Sequence, residues 1–309
     1  MKIITLTLNV ALDVHCHVPA FRPYHENIAT ITSRDAGGKG INISRALCAM
    51  GVPSVAVAVL GREGRADFES SLRADGIDAL VVETEGRIRE NITVHTDVAP
   101  ETRISVSGSP VSESLLDEVL ASLKKVVDTD TVLTFTGSVP SGIGKDALMR
   151  FLAEIRDMGA LIVIDSRSLD KDEVISLHPF LIKPNEDEAA EYFGCAVSDT
   201  QSAVRAAESL RETGIDNVMI SLGSRGAVLA SGSGTYVADV PSIEVRSTIG
   251  AGDSSIAGFL AAIREGGTAE EALRTALAYG SAACLTEGTK PPRPEDVARL
   301  KVCINVSKV

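Results

Sequence analysis

Ser247-Thr-Ile-Gly-Ala-Gly-Asp-Ser-Ser-Ile-Ala-Gly-Phe-Leu-Ala-Ala-Ile-Arg264 is the stretch from which the rest of the chain is read. Ile256, Phe259, Leu260 and Ile263 recur at helical spacing, so Gly250, Ala251 and Gly252 form a tight turn that delivers backbone N–H groups at a helix N-terminus. Unpaired amides and the positive end of the helix dipole make such a start an anion site. It suits a phosphoryl group in transfer, on whose oxygens charge grows during the reaction. Asp253 falls in the first turn beside that hole, placed to take a proton from an attacking hydroxyl. On its own, the same pattern is satisfied equally well by a glycine turn followed by a helix-favouring aspartate.

Outward from this helix, short β-rich runs alternate with helical patterns. Ile3–Leu8 precedes a helix over 41–50, Ser54–Leu60 one over 65–75, and Thr131–Thr136 one over 144–158; Leu161–Asp165 and Val218–Leu222 are further strands. The alternation predicts right-handed βαβ units around a mostly parallel sheet, with ligands beyond the carboxyl ends of its strands. Two stretches break the rhythm, 13–35 and 86–107, which read as strands without intervening helices. They predict a small β appendage, a lid, on a single α/β domain spanning 1–309.

Composition excludes several classes. The 309 residues are 44% hydrophobic and 23% charged, enough for a substantial core. Thirty basic against 42 acidic residues leave a net charge of −12, so no broad footprint for nucleic acid or anionic lipid exists and any anion must be held locally. Five dispersed cysteines (Cys16, Cys48, Cys195, Cys284, Cys303) form neither a disulfide framework nor a zinc motif. The start lacks a signal-peptide core, and no uncharged apolar run reaches the length of a membrane span. A cytoplasmic protein is the expectation. His15, His17, His25, His95 and His178 show no metal-ligand spacing, and Glu270 and Glu271 read as a solvated helix face.

A second glycine cluster is Asp35-Ala-Gly-Gly-Lys-Gly-Ile-Asn-Ile-Ser-Arg-Ala-Leu47. It is not a phosphate-binding P-loop, because Ser33 stands where the first glycine is required and Gly40 where Ser or Thr is required. Gly37, Gly38 and Gly40 let backbone approach a ligand closely, Lys39 supplies a point charge, and Asn42 a neutral hydrogen-bonding group. That mixture suits a polyhydroxylated or phosphorylated small molecule. A dinucleotide fold is excluded, since Ser255 and Val237 occupy the third-glycine positions.

Thr7-Leu-Asn-Val-Ala-Leu-Asp13, Gly37-Gly-Lys-Gly-Ile-Asn-Ile-Ser-Arg-Ala-Leu47, Gly137-Ser-Val-Pro-Ser-Gly142, Lys183-Pro-Asn-Glu-Asp-Glu188, Ser221-Leu-Gly-Ser-Arg-Gly226 and Gly250-Ala-Gly-Asp253 together resemble the PfkB/ribokinase family of sugar kinases, over nearly the whole chain. The first two motifs resemble its 1-phosphofructokinase and tagatose-6-phosphate kinase branch most. The resemblance implies a ribokinase-like α/β fold with a β lid. Asp253 would be the catalytic base, with the Gly250, Ala251 and Gly252 amides as anion hole. Asp13, Gly38, Lys39, Asn42 and Ser138 would contact the acceptor, and Arg89 would bind its phosphate. Asn185, Ser221, Gly223 and Gly226 would lie on the nucleotide side, and Glu188 would act on Mg²⁺ through water. By spacing alone, Asn185 and Glu188 are a helix capping box. Ala278, Gly280, Ala282 and Ala283 suit either an adenine slot or close helix packing.

Within that branch pattern, Ile88-Arg-Glu-Asn-Ile-Thr93 keeps the arginine as Arg89 but has Thr93 where lysine is usual. Ile28 stands where a lid arginine is common. Arg103 occupies a usual acid position, and with Arg34 and Arg87 it offers compensation. The resemblance therefore implies an ATP- and Mg²⁺-dependent kinase of a sugar or sugar phosphate, fructose 1-phosphate first, with two lids pairing in a homodimer. The alternatives are a kinase of an unphosphorylated sugar or nucleoside, and a non-catalytic sugar-binding protein.

Overall fold

The computed structural model describes residues 1–98 and 101–309. Its strands, in chain order, are β1 (Lys2–Thr7), β2 (Ala11–His17), β3 (Thr30–Gly37), β4 (Val55–Glu63), β5 (Ala79–Arg87), β6 (Arg89–His95), β7 (Thr102–Ser105), β8 (Thr131–Thr136), β9 (Leu161–Asp165), β10 (Leu181–Ile182), β11 (Asn217–Ser221), β12 (Ala227–Ser231), β13 (Gly234–Ala238) and β14 (Val306–Lys308). The helices are α1 (Lys39–Ala49), α2 (Arg65–Ala74), α3 (Ser114–Leu123), α4 (Lys145–Asp157), α5 (Lys171–Ser176), α6 (Glu186–Phe193), α7 (Thr200–Glu212), α8 (Ala251–Arg264), α9 (Ala269–Ala283) and α10 (Pro294–Lys301).

Ten strands form one sheet in the order β14-β13-β12-β11-β10-β9-β8-β1-β4-β5. From β11 to β5 every neighbouring pair is parallel, and β12, β13 and β14 extend the other edge antiparallel. The α/β class with a mostly parallel sheet is therefore as the alternation predicts. The central strands are built from apolar residues and buried threonines, with β1 reading KIITLT and β8 TVLTFT, because both faces are covered. Ile4, Leu6, Leu133, Phe135 and Ile162 pack against α3, α4 and α7. Their chain neighbours Ile3, Val132 and Val163 point the opposite way, onto Leu47 of α1, Phe259 and Leu260 of α8, and α9. Side chains alternating at period two thus put a helical layer on each face.

The two rhythm-breaking stretches supply a second sheet, order β3-β2-β6-β7, in which β2 runs antiparallel to β3 and parallel to β6. Residues 86 and 87 belong instead to β5 at the edge of the large sheet, and residues 99 and 100 lie outside the described residues. Leu12 and Ile88 anchor the root of the small sheet in a cluster with Ile41, Leu60 and Phe68. The small sheet thereby stands beside the carboxyl ends of β1, β8 and β9. Among the described residues, no helix is long and apolar enough to cross a membrane.

Candidate active site

A cleft of about 740 Å³ lies where the large and small sheets meet. It gathers Asp13 from β2, Gly38, Lys39 and Asn42 from the start of α1, Arg89 from β6, Ser138 after β8, Asn185 and Glu188 at the start of α6, and Gly250, Gly252 and Asp253 at the start of α8. Ala251, Ser221, Gly223 and Gly226 do not line it.

The α8 start is built as the glycine pattern predicts. Gly250 caps the helix in the left-handed region at φ 80°, and Asp253 is the acid of its first turn. The Ala251 amide donates to Thr248 O at 3.3 Å, a long bond that an incoming anion can replace. Asp253 is 6% exposed and accepts from Asn42 Nδ2 at 2.8 Å. Burial pushes its carboxyl up to about 6; Lys39, the Asn42 bond and Lys183 pull the other way, and Asp165 adds to the rise.

Behind Asp253 sits a charge cluster. Lys39 Nζ donates to Asp165 Oδ2 at 2.9 Å. Burial opposes the Lys39 charge, but Asp165, Asp253 and Glu188 outweigh it and hold the ammonium above its ordinary value. Asp165 itself is buried, which disfavours its charge, yet Lys183 and Lys39 keep its carboxyl below the ordinary carboxylate range. The ammonium of Lys183 lies against the α8 turn, since a Cβ on Gly252 would meet its Nζ at 3.1 Å. Sequence reasoning passed over Asp165, read only as the end of a strand, and over Lys183, read only within a motif. A carboxylate closing an apolar run at the carboxyl end of a parallel strand is the signal that marks Asp165.

On the small-sheet side, Asp13 is buried and accepts from Asn91 Nδ2 at 2.9 Å and from Arg103 Nη2 at 3.3 Å. Gly37 pairs near it in β3, and a Cβ there would lie 2.2 Å from Asp13 Oδ2, so the first glycine of the cluster is needed by the protein's own carboxylate. Asn91 and Thr7 line the cleft, and among the described residues their buried Oδ1 and Oγ1 have no hydrogen-bond partner. Ser138 Oγ accepts from Asn9 Nδ2 at 3.0 Å. Arg89 donates from all three guanidinium nitrogens to backbone carbonyls, Val10 O at 3.2 Å, Val106 O at 3.2 Å and Asn9 O at 3.1 Å, and its burial lowers its proton affinity.

On the opposite side, Asn185 and Glu188 form the capping box that their spacing predicts: Glu188 N donates to Asn185 Oδ1 at 2.9 Å, and Asn185 N to Glu188 Oε2 at 3.0 Å. Glu188 Oε1 accepts from Arg167 at 2.8 Å. Each carboxylate oxygen keeps a second lone pair, so a hydrated cation fits outside these bonds. Ser221 N donates to Pro184 O at 3.0 Å, beside Asn185, and Gly223 opens an exposed turn. Gly226 is buried, and a Cβ there would lie 1.9 Å from Ala238 O, so the hairpin between β12 and β13 accounts for that glycine. Similarly, a Cβ on Gly280 would meet Ser255 Oγ at 2.3 Å; the small residues of α9 pack against α8.

His15 Nδ1 and His95 Nε2 share a hydrogen bond of 2.9 Å inside the small sheet; among the described residues no group of three or more His, Cys, Asp or Glu is placed to hold a metal ion.

The profile described as pfkB family carbohydrate kinase matches residues 11–296. The 1-phosphofructokinase of Borreliella burgdorferi is 34% identical over 284 residues, 92% of either chain. That of Bacillus subtilis is 32% identical over 285 residues, 92% of this chain and 93% of its own. Among solved structures, phosphofructokinase-2 from Escherichia coli in complex with substrates and products superposes with a TM-score of 0.92 over 98% of this chain and 99% of its own, at 24% identity, a likeness of fold.

Proposed function

The chain belongs to the pfkB family of carbohydrate kinases and is a phosphotransferase acting on a hydroxyl, and we propose that it transfers the γ-phosphoryl group of ATP to fructose 1-phosphate in the cytoplasm. The observation that carries this reading is the seat of Asp253: a buried carboxylate at a helix start, hydrogen-bonded to Asn42 and faced by Lys39 across one cleft.

Asp253 accepts the proton of the acceptor hydroxyl as that oxygen attacks, and a carboxyl near 6 is largely ionised at neutral pH while still basic enough to receive it. The amides at Gly250, Ala251 and Gly252 meet the growing charge on the phosphoryl oxygens. Lys39, held charged by Asp165, adds a cation. Asp13 and Ser138 orient the sugar hydroxyls, and Gly38 and Asn42 stand at the α1 end of the same wall. Asn185, Ser221, Gly223 and Gly226 form the nucleotide side, of which Gly226 acts only by shaping the turn. Glu188 is the residue that would hold Mg²⁺ through water; the ion supplies charge neutralisation on the phosphates. A lone carboxylate suits a cation that arrives on the nucleotide. The small sheet closes over the acceptor and excludes water. Opposite the face that carries Asp13, it exposes Ile31 and Ile104 (65% and 47%), apolar surface through which two lids would pair in a homodimer.

A kinase of unphosphorylated sugar is the second reading, favoured by one observation: Arg89 already donates to three carbonyls. ADP release measured with a panel of sugars and sugar phosphates decides between them. Release that depends on fructose 1-phosphate supports the first reading; release only with free sugars replaces it.

A further inference from the structure

The Asn42 amide that reaches Asp253 is itself held from behind. Asn42 and Arg45 are three residues apart on α1 and share a helix face. Arg45 Nη1 donates to Asn42 Oδ1 at 3.0 Å, while Asn42 Nδ2 donates to Asp253 Oδ2 at 2.8 Å. The arginine is fixed in turn: its Nε donates to Asp75 Oδ2 at 2.8 Å and its Nη2 to the Ala36 carbonyl. Arg45 is 5% exposed and does not line the cleft, and Asp75 is the residue that closes α2. A relay of four side chains thus runs from the end of α2 to the start of α8.

A side-chain amide has two orientations related by a half-turn. A guanidinium carries donors and no acceptor, so on the Arg45 side only the amide oxygen is admitted. The opposite orientation would set the amide oxygen against the Asp253 carboxylate and the NH2 group against the guanidinium. Resting on the reading that Asp253 receives the acceptor proton, we propose that Arg45 is a positioning residue for phosphoryl transfer, locking the Asn42 amide with its NH2 group toward Asp253.

The charged groups that face Asp253 are Lys39 from α1, Asp165 from the end of β9 and Lys183 after β10. None of them depends on Arg45. The Asn42 bond does, and a donor to the ionised carboxylate favours that form. Without Arg45, the amide turns freely, and Asp253 holds its proton to higher pH.

The test compares wild type, Arg45→Met and Arg45→Lys. The Asp253 carboxyl is titrated by carbon-13 NMR, and kcat and KM are measured with Mg-ATP and fructose 1-phosphate. In Arg45→Met the carboxyl should titrate at higher pH, and kcat should fall about 10- to 100-fold with KM for ATP unchanged. Arg45→Lys, which still donates to Asn42 Oδ1, should recover part of both. In an Asn42→Ala background, Arg45→Met should add nothing to either readout. An unmoved titration, or an effect that persists in that background, overturns the proposal. Should Arg45→Met fail to fold, Asp75→Asn releases the same guanidinium from the protein surface and should move the titration in the same direction. The titration needs no acceptor, so it stands even if fructose 1-phosphate is not the substrate. Conversely, full turnover in Asp253→Asn would remove the base reading and leave the amide orientation untouched.

Discussion

Thr93 of β6 and Arg103 of β7 are direct cross-strand partners in the small sheet. The short side chain and the long cation share one row, so the guanidinium reaches Asp13 and the cleft wall. Arg103 thereby offers the positive charge that Thr93 lacks, on the neighbouring strand. Its hydrogen bond to Asp13 is long, at 3.3 Å, whereas Arg89 donates to three carbonyls.

Arg103→Ala should therefore discriminate. Losing one charge-assisted bond to a phosphate costs about 1.5 to 3 kcal/mol. The expected outcome is a 10- to 150-fold drop in kcat/KM for fructose 1-phosphate, with free-sugar turnover and Tm little changed. Arg89→Ala should instead lower Tm and slow both acceptors, because it removes three hydrogen bonds, two of them part-buried, that tie β6 to the segments at residues 9–10 and 106. Paired kinetics and thermal melts read both. Equal losses with both acceptors in Arg103→Ala would assign it to lid structure.

Asp253 carries a pH signature in stability as well as in rate. Its carboxyl sits near 6 in the fold against an ordinary 3.8, so the ionised form is the disfavoured one. The resulting destabilisation is fully present above about 6 and is relieved as pH falls from there toward 3.8. At neutral pH it amounts to about 3 kcal/mol. Asp253→Asn should thus raise Tm at pH 7, with the gain shrinking as the pH is lowered to 4. Calorimetry at the two pH values checks this; a destabilised variant at pH 7 would contradict it.

Glu188→Gln separates capping from cation binding. Glutamine keeps the capping box, so stability should change by less than about 1 kcal/mol. The negative charge is lost, and the Mg²⁺ concentration for half-maximal turnover should rise several-fold. A magnesium titration at fixed ATP measures it, and an unchanged requirement would leave Glu188 as a cap alone.

Gly37→Ala tests the glycine cluster. The added methyl would overlap the Asp13 carboxylate, at 2.2 Å from Oδ2, and forcing Asp13 aside should cost about 1 to 3 kcal/mol. KM for the acceptor should rise more than KM for ATP. Equal effects on the two would mean that Asp13 does not touch the acceptor.

What the sequence made legible follows from burial. Thr131–Thr136 and Leu161–Asp165 coincide with β8 and β9 because strands covered on both faces are made of apolar and β-branched residues, which stand out in the sequence. The antiparallel edge of β12, β13 and β14 left a weaker trace: β14 has three residues, and its partner Gly234–Ala238 is separated from it by three helices. At the site, glycine turns and first-turn acids are local patterns and were readable. Asp165 carries only the weaker signal of a carboxylate at a strand's end, and Lys183 none beyond its motif, because their pairing arises only when the ends of β9 and β10 meet the start of α8. The three carbonyl bonds of Arg89 were equally invisible, since their acceptors are backbone atoms at positions 9, 10 and 106.

As proposed, Asp253 drives phosphoryl transfer from ATP to a sugar-phosphate hydroxyl in this cleft. The most direct measurement is ADP release with saturating Mg-ATP and fructose 1-phosphate, wild type against Asp253→Asn, with the product analysed for its second phosphate. The expected result is a doubly phosphorylated sugar from wild type and a kcat lower by roughly 10²- to 10⁴-fold in the variant. Wild-type turnover in Asp253→Asn, or ADP release without a second phosphate on the sugar, would contradict it.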